Sequence, residues 1–268
     1  MQDDNPRITT IGCDEECDSL AERERGHLAR FSCGRDADAS VAEPYPLSVI
    51  PTTVPPYLIR RVFEIPTDLA SWAEADILEV ASFQKRSSVH RPRTQARLLY
   101  DESGIFIRFD VEDCFVRSVH ENYQDPVSLD SCVEWFVQPA GQQGYFNFET
   151  NCGGTLLLAY ADVSASVKCV TLVDASWVEQ LRIHTTMPRR VDPEIAGPVN
   201  WTLSYFVPFA LYEHYAGPCG KVAGSVWRAN FYKCGSETSH PHWASWSPIC
   251  KGNSFHQPAF FGELIFGE

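Results

Sequence analysis

Hydrophobic and polar residues alternate along two stretches near the middle of the chain, and this alternation predicts two β-strands. In residues 132–138, three large apolar side chains share one face and Glu134 lies on the other. In residues 145–151, two phenylalanines share one face, while Asn147 and Glu149 lie on the other. The segment between them contains two glycines and predicts a turn. The resulting hairpin would place Glu134 roughly opposite Asn147, with carboxylates and amides on one face.

This polar face has two interpretations. A row of carboxylates and amides on a rigid sheet is suited to hydrogen bonding with a polyhydroxylated ligand. The alternative is the ordinary solvated outer face of an antiparallel sheet. The pattern by itself does not decide between them.

The rest of the chain predicts further strands with few helical patterns. The additional predicted strands are 59–65, 95–100, 105–111, 155–161, 167–172, 178–186, 201–207, 226–233 and 260–266. Residues 209–215, which follow a proline, predict one short helix. We therefore expect an all-β fold: a two-sheet antiparallel β-sandwich with jelly-roll or immunoglobulin-like layering and one short helix.

The chain divides into two parts by composition. Residues 1–56 are rich in charge and then in proline, with too little apolar surface for a core, and we expect an extension that is disordered or loosely docked. Residues 57–268 carry the strand patterns and form the predicted domain.

Charge narrows the range of partners. The net charge of −13 argues against nucleic acid and anionic membranes, because both require clustered basic residues. No apolar run is long enough to span a bilayer, and the acidic start shows no signal peptide. We expect a cytoplasmic protein, or a secreted one whose signal is absent from the sequence. The sequence does not indicate an oligomeric state.

Two glutamates raise the question of catalysis. Glu134 and Glu149 on neighbouring strands could serve as the acid and base of a glycoside hydrolase or lyase, which needs two carboxyl groups across a cleft. The chain has no G-x-S-x-G motif and no P-loop. We favour ligand contact over catalysis for this pair.

Metal sites are weakly indicated. The ten cysteines show no C-x-x-C pair, which favours free core thiols over a structural zinc site, although disulfides stay open. Asp110, Glu112 and Asp113 could hold a structural calcium ion. His240 and His242 could place two imidazoles near a metal.

Six segments together carry a resemblance to a known family. They are ARLLYDESGIFIRFDVED, DPVSLDSCVEWFV, GYFNFETNCGGTLLLAY, ANFYKCG, SWSPI and FHQPAFFGEL, in that order. With these segments, residues 57–268 resemble the family 9 carbohydrate-binding modules, part of a wider group of DOMON-like β-sandwiches. Residues 1–56 carry no such resemblance.

The resemblance implies a protein that binds sugars without cleaving them and needs no cofactor. Members of the family hold a terminal sugar between two aromatic rings, with polar side chains contacting its hydroxyls. By position, the sheet glutamate is Glu134, a family arginine falls at Asn147, and an amide residue falls at Asn230. One clamp ring falls at Phe255, whereas the other falls at Val127, which has no ring.

The prediction is therefore a carbohydrate-binding β-sandwich, acting within polysaccharide degradation. Glu149 and Arg97 are expected as additional contacts, and Trp246 or Tyr123 as a replacement for the ring missing at Val127. Two alternatives stay open: a glycoside hydrolase or lyase, and a scaffold whose sugar site has decayed.

Overall fold

The computed structural model describes residues 54–66, 70–163 and 169–268, and these are mostly β-structure. The described residues contain sixteen strands. The first eight are β1 (Tyr57–Arg61), β2 (Leu78–Glu79), β3 (Ser82–Phe83), β4 (Arg93–Tyr100), β5 (Gly104–Asp113), β6 (Val116–Ser118), β7 (Cys132–Gln138) and β8 (Tyr145–Asn151). The others are β9 (Leu156–Asp162), β10 (Cys169–Leu172), β11 (His184–Thr185), β12 (Val191–Ile195), β13 (Val199–Pro208), β14 (Val226–Gly235), β15 (His242–Ser245) and β16 (Gly262–Phe266).

Helical structure is limited to short segments. The α-helix α1 spans Phe209–Ala216 and begins directly after Pro208, as the sequence predicts. Three 3-10 segments cover Val127–Leu129, Ala175–Leu181 and Pro258–Phe260. In the described part of the chain, no helix is long and apolar enough to cross a membrane.

Apart from β6 and β12, which pair with each other in a separate two-stranded sheet, the described strands form one long curled path. Its order is β10-β9-β8-β7-β14-β16-β1-β4-β5-β13-β11, with β15, β2 and β3 paired off the path. The joint is β1, which pairs in parallel with both β16 and β4. The predicted antiparallel pairing is wrong at this strand, because β1 pairs in parallel on both sides and joins the two halves of the path.

The strands on the two sides of β1 in this path, β10-β9-β8-β7-β14-β16 and β4-β5-β13-β11, form two arms. Side chains from the two arms contact each other in the main core. Phe109 on β5 lies 6.3 Å from Phe231 on β14, measured between ring centroids. Phe148 on β8 stacks with Tyr205 on β13 at 6.0 Å. Alternation therefore gives the central strands of these arms one face toward the core and one face away from it, whereas β10 at the end of the path is exposed along its whole length.

The central hairpin has its predicted bounds, since β7 and β8 begin and end where the alternation does. The predicted strand over 178–186 is wrong. A 3-10 helix occupies Ala175–Leu181, begun by the Asp174 side chain accepting from the backbone N–H of Ser176. It ends at Arg182, which is in the left-handed conformation with φ of 49°. Only His184–Thr185 is extended.

Parts of two predictions lie outside the described residues. These are residues 1–53 of the predicted extension and the first two positions of the predicted strand 167–172. The rest of that strand is present as β10.

Candidate functional site

A polar face runs across three adjacent strands on the side turned away from the main core. β7 contributes Glu134, β8 contributes Asn147 and Glu149, and β14 contributes Asn230. Because β7 pairs with both neighbours and side chains alternate, these four residues share one face, as the pattern predicts. We call this surface the polar face.

The register within the polar face differs from the prediction. Glu134 lies directly opposite Glu149 on one side and Tyr232 on the other, whereas Asn147 and Asn230 lie opposite Phe136. The predicted partner of Glu134, Asn147, is therefore two residues along β8 from the observed partner, Glu149. A shift of two residues preserves which face a side chain occupies, so the face is right although the pairing is not.

The polar face is buried. Glu134 is 2% exposed, Asn147 5% and Glu149 7%, so the interpretation as a solvated outer face is wrong. A second apolar cluster covers these polar groups, and its largest members are aromatic. Its buried members are Val127, Cys132, Phe136, Tyr145, Leu157, Ala161, Tyr232, Cys234, Phe255 and Phe261.

Some of the polar side chains on this face form hydrogen bonds with each other. Asn147 Nδ2 donates to Glu149 Oε1 at 2.8 Å, and the Cys234 thiol donates to Glu134 Oε1 at 3.0 Å. Asn230 is committed elsewhere: its amide donates to the carbonyl of Ser247 and its Oδ1 accepts from the backbone N–H of Ser247, both at 2.9 Å. In this conformation Asn230 holds the chain after β15 and has little capacity left for a ligand.

Burial controls the charge state of the two glutamates. It raises the pKa of Glu134 well above the usual value, and the nearby Cys234 and Glu149 raise it further. It also raises the pKa of Glu149, to about 7, against the opposing effect of the hydrogen bond from Asn147. At neutral pH a protonated carboxyl offers one donor and acceptor oxygens, which suits it to a hydroxyl partner.

Aromatic rings pack against the polar face around Tyr232 and Tyr145. The rings of Phe255 and Tyr232 stack at 4.1 Å with an interplanar angle of 15°, and the Tyr232 hydroxyl donates to the Phe255 carbonyl at 3.0 Å. Next to them His256 Nδ1 lies 3.0 Å from the hydroxyl of Tyr145. Val127 is fully buried in the same cluster. The ring partner of Phe255 is thus Tyr232, a residue that the sequence interpretation did not select.

Tyr232 was detectable from the sequence. It lies two positions after Asn230 on a predicted strand, so alternation places both on one face. Tyr123, one predicted replacement ring, instead packs against the main core and donates its hydroxyl to the carbonyl of Val173 at 2.7 Å.

The structure does not bring Arg97 and Trp246 to the polar face. Arg97 lies on the outer side of β4, opposite Arg108, and forms a 2.5 Å ion pair with Asp110. The Trp246 ring packs against the main core, 5.8 Å from Phe231. Both residues are predicted sugar contacts, but the fold separates them from the other five predicted sugar contacts.

The predicted calcium ligands are paired with basic side chains instead. Asp110 pairs with Arg97 and Arg108, and Glu112 pairs with Arg93. Asp113 Oδ1 lies 2.7 Å from His90 Nε2, and its Oδ2 lies 3.2 Å from the Lys233 ammonium. This donor set is already neutralised, so these residues do not fit a calcium ion.

The side chain of Lys233 lies beside His242, one of the two predicted histidine metal ligands. His242 Nε2 lies 2.7 Å from the ammonium group of Lys233. That arrangement uses the ring nitrogen a metal would need.

Comparison with known proteins assigns the chain to a family. The model of carbohydrate-binding family 9 matches residues 67–266. The chain belongs to this family. A proposed carbohydrate-binding protein from Bacteroides uniformis has 26% sequence identity and a TM-score of 0.69, with 78% of this chain and 97% of that chain covered.

A second solved structure shares the fold at lower identity. It is a family 9 carbohydrate-binding module from Caldicellulosiruptor kristjanssonii in complex with glucose, with 11% identity, a TM-score of 0.54, and coverage of 80% of this chain and 97% of that chain. No curated protein matches this chain significantly.

Proposed function

We propose that this protein binds a carbohydrate without cleaving it, and that the polar face is the binding surface. The observation that carries the proposal is the row formed by Glu134, Asn147 and Glu149 on two rigid neighbouring strands in a chain of carbohydrate-binding family 9. Side chains on paired strands keep fixed spacing, which suits them to the fixed hydroxyls of a sugar.

We further propose that the two arms of the strand path act as the layers of a β-sandwich. The contacts Phe109–Phe231 and Phe148–Tyr205 support this layering. In that arrangement the polar face lies on the outside of one layer, where the chain segments that carry Val127 and Phe255 pack against it.

The parallel rings of Phe255 and Tyr232 suggest how a sugar enters. Rings 4.1 Å apart are in contact and leave no room for a ligand between them. We propose that the Phe255 segment moves away and that the apolar C–H face of a sugar replaces one ring of the stack. The freed carboxyl groups of Glu134 and Glu149 then bind its hydroxyls.

One observation favours a second function, a glycoside hydrolase. Both Glu134 and Glu149 have a raised pKa, and a raised pKa is a property of the general acid in these enzymes. Catalysis, however, needs environments that push the two pKa values apart, so that one carboxyl is protonated and the other ionised. Here burial shifts both in the same direction, which favours binding.

The test is a glycan-panel screen followed by calorimetry on wild type and Glu134→Ala. We expect one sugar class to bind, and the variant to bind it roughly tenfold or more weakly, the effect of losing a strong hydrogen bond. Glu74→Ala, at an exposed glutamate, is the matched control and should bind as wild type does. The same panel is assayed for release of reducing sugar.

Three results separate the candidates. Binding lost in Glu134→Ala but kept in Glu74→Ala supports the proposal. Sugar release that disappears in Glu149→Gln would identify a hydrolase instead. No binding of any glycan would leave the decayed scaffold as the explanation.

A further inference from the structure

Two cysteines that are far apart in sequence meet on the polar face. Cys132 on β7 and Cys234 on β14 lie directly opposite each other in the antiparallel ladder. Both are buried, and both share the face of Glu134. The two sulfur atoms and a carboxylate oxygen of Glu134 all lie within 4.8 Å of one another.

Their spacing is close to what a single metal ion requires. Zinc–sulfur bonds are about 2.3 Å long, so two sulfurs on one tetrahedral zinc ion are about 3.8 Å apart, within the 4.8 Å bound on the donor separations here. Zinc–carboxylate bonds are about 2.0–2.2 Å, which places the oxygen at a similar distance from each sulfur. Small rotations of the three side chains would therefore bring all three donors onto one ion.

An acidic group lies beside the cluster on its own face, and the nearest basic group, Lys233, lies on the other side of the sheet. Glu149 lies directly opposite Glu134. Lys233, although adjacent in sequence to Cys234, is on the opposite face and pairs with Asp113. Arg228 is on the same face but six residues along β14, about 20 Å away.

We propose that Cys132, Cys234 and Glu134 form a binding site for a thiophilic divalent cation, with zinc as the expected ion. Two thiolates and one carboxylate are donors that zinc accepts, and thiolates disfavour calcium and magnesium. Three protein donors leave the fourth tetrahedral position for a water or another oxygen ligand. This site uses none of the residues that the sequence indicated for metal binding.

The same pair of cysteines also fits a disulfide, which is the competing outcome. Directly opposed residues in an antiparallel ladder have Cα atoms about 4.5–5.5 Å apart, within the range of disulfides. In the structure both are free thiols. The experiment must therefore distinguish metal binding from oxidation.

The test is a cobalt and cadmium titration of the reduced full-length protein, followed by competition with zinc. Because the cluster is buried, the ions are added both to folded protein and during refolding. We expect sulfur-to-metal charge-transfer absorption that saturates at one ion per chain and that zinc abolishes. Zinc should also raise the melting temperature, because an ion that binds only the folded state stabilises it.

Each test variant removes one proposed metal ligand, and a control variant removes a buried thiol elsewhere. Cys132→Ser and Cys234→Ser should each abolish most of the absorption and of the thermal shift, and Glu134→Gln should weaken binding about tenfold or more. Cys152→Ser, at an equally buried thiol outside the cluster, should leave both signals unchanged. Circular dichroism confirms that each variant is folded.

Three results would overturn the proposal. The first is no charge-transfer absorption in the reduced wild type under either loading protocol. The second is equal absorption in the Cys132→Ser and Cys152→Ser variants, which would place the metal at other cysteines. The third is a Cys132–Cys234 disulfide that forms at the same rate with and without zinc. None of these readouts involves a sugar, so they test the metal proposal separately from the carbohydrate proposal, although both proposals use Glu134.

Discussion

Replacing Lys233 with methionine should destabilise the protein strongly. Lys233 is fully buried on the core-facing side of β14. Its ammonium group lies 3.2 Å from Asp113 Oδ2 and 2.7 Å from His242 Nε2, and it donates to the carbonyl of Cys234 at 3.1 Å. A methionine side chain has a similar length but supplies none of these donors.

The magnitude follows from what the change leaves behind. Burial by itself would raise the pKa of Asp113, but Lys233 and the hydrogen bond with His90 hold that pKa well below its usual range. Without Lys233 the buried carboxylate keeps its hydrogen bond with His90 but loses the ammonium charge that compensates it. Removing one member of a buried ion pair costs about 3–5 kcal/mol, which corresponds to a fall in melting temperature of about 10 °C for a domain of this size.

The assay is chemical denaturation of wild type, Lys233→Met, Asp113→Asn and the double variant. Removing both charges should cost less than removing Lys233 alone, because the uncompensated carboxylate is then absent. If Lys233→Met is as stable as wild type, or if the double variant is the least stable of the four, the ion pair does not contribute as argued.

Two further predictions concern the neighbourhood of this pair and of the aromatic segment. Burial, together with Lys233, lowers the pKa of His242 to about 3, below the value in the unfolded chain, so stability is lost as pH falls below about 6.5. The His242→Gln variant lacks this pH dependence of stability. In denaturation curves, the difference in unfolding free energy between wild type and variant should narrow by about 2 kcal/mol from pH 8 to pH 5. A difference that does not change with pH would contradict the lowered pKa of His242. Gly262→Ala should cost about 1–3 kcal/mol, since its Cβ would lie 2.5 Å from the Trp246 ring, whereas Gly197→Ala, with no atom within 4 Å, is a control that should be near neutral.

Local alternation was enough to predict the polar face, and its limits are visible at the register. Strand periodicity assigns Glu134, Asn147 and Glu149 to one side regardless of which residues are paired. Pairing depends on the conformation of residues 139–144, where the glycines permit several turns. The predicted pairing therefore missed by two residues while the assignment of the face held.

Burial of the face depends on contacts distant in sequence, which periodicity does not report. Phe255 reaches Tyr232 from a segment without strand pattern, and Cys234 reaches Glu134 across a hundred residues. For Lys233, the sequence pattern gives the location of the side chain but not the interactions that stabilise it there. Alternation places it toward the core beside Phe231, but only the positions of Asp113 and His242 explain how a buried ammonium is tolerated there.

In the proposed mode of binding, the packing of Phe255 sets an energetic condition on a ligand of the polar face. Phe255 is 9% exposed, and exposing a buried phenylalanine side chain costs about 1.5–3 kcal/mol. If the open state lies about 2 kcal/mol above the closed one, the apparent affinity for a sugar is roughly 30-fold weaker than the intrinsic affinity of the open face. In this proposal the segment around Phe255 would act in two opposing ways, because its ring covers the proposed site and would also offer the surface on which a sugar stacks. Weak apparent binding is therefore compatible with a well-formed site, and the loss in Glu134→Ala relative to wild type is more informative than the absolute affinity.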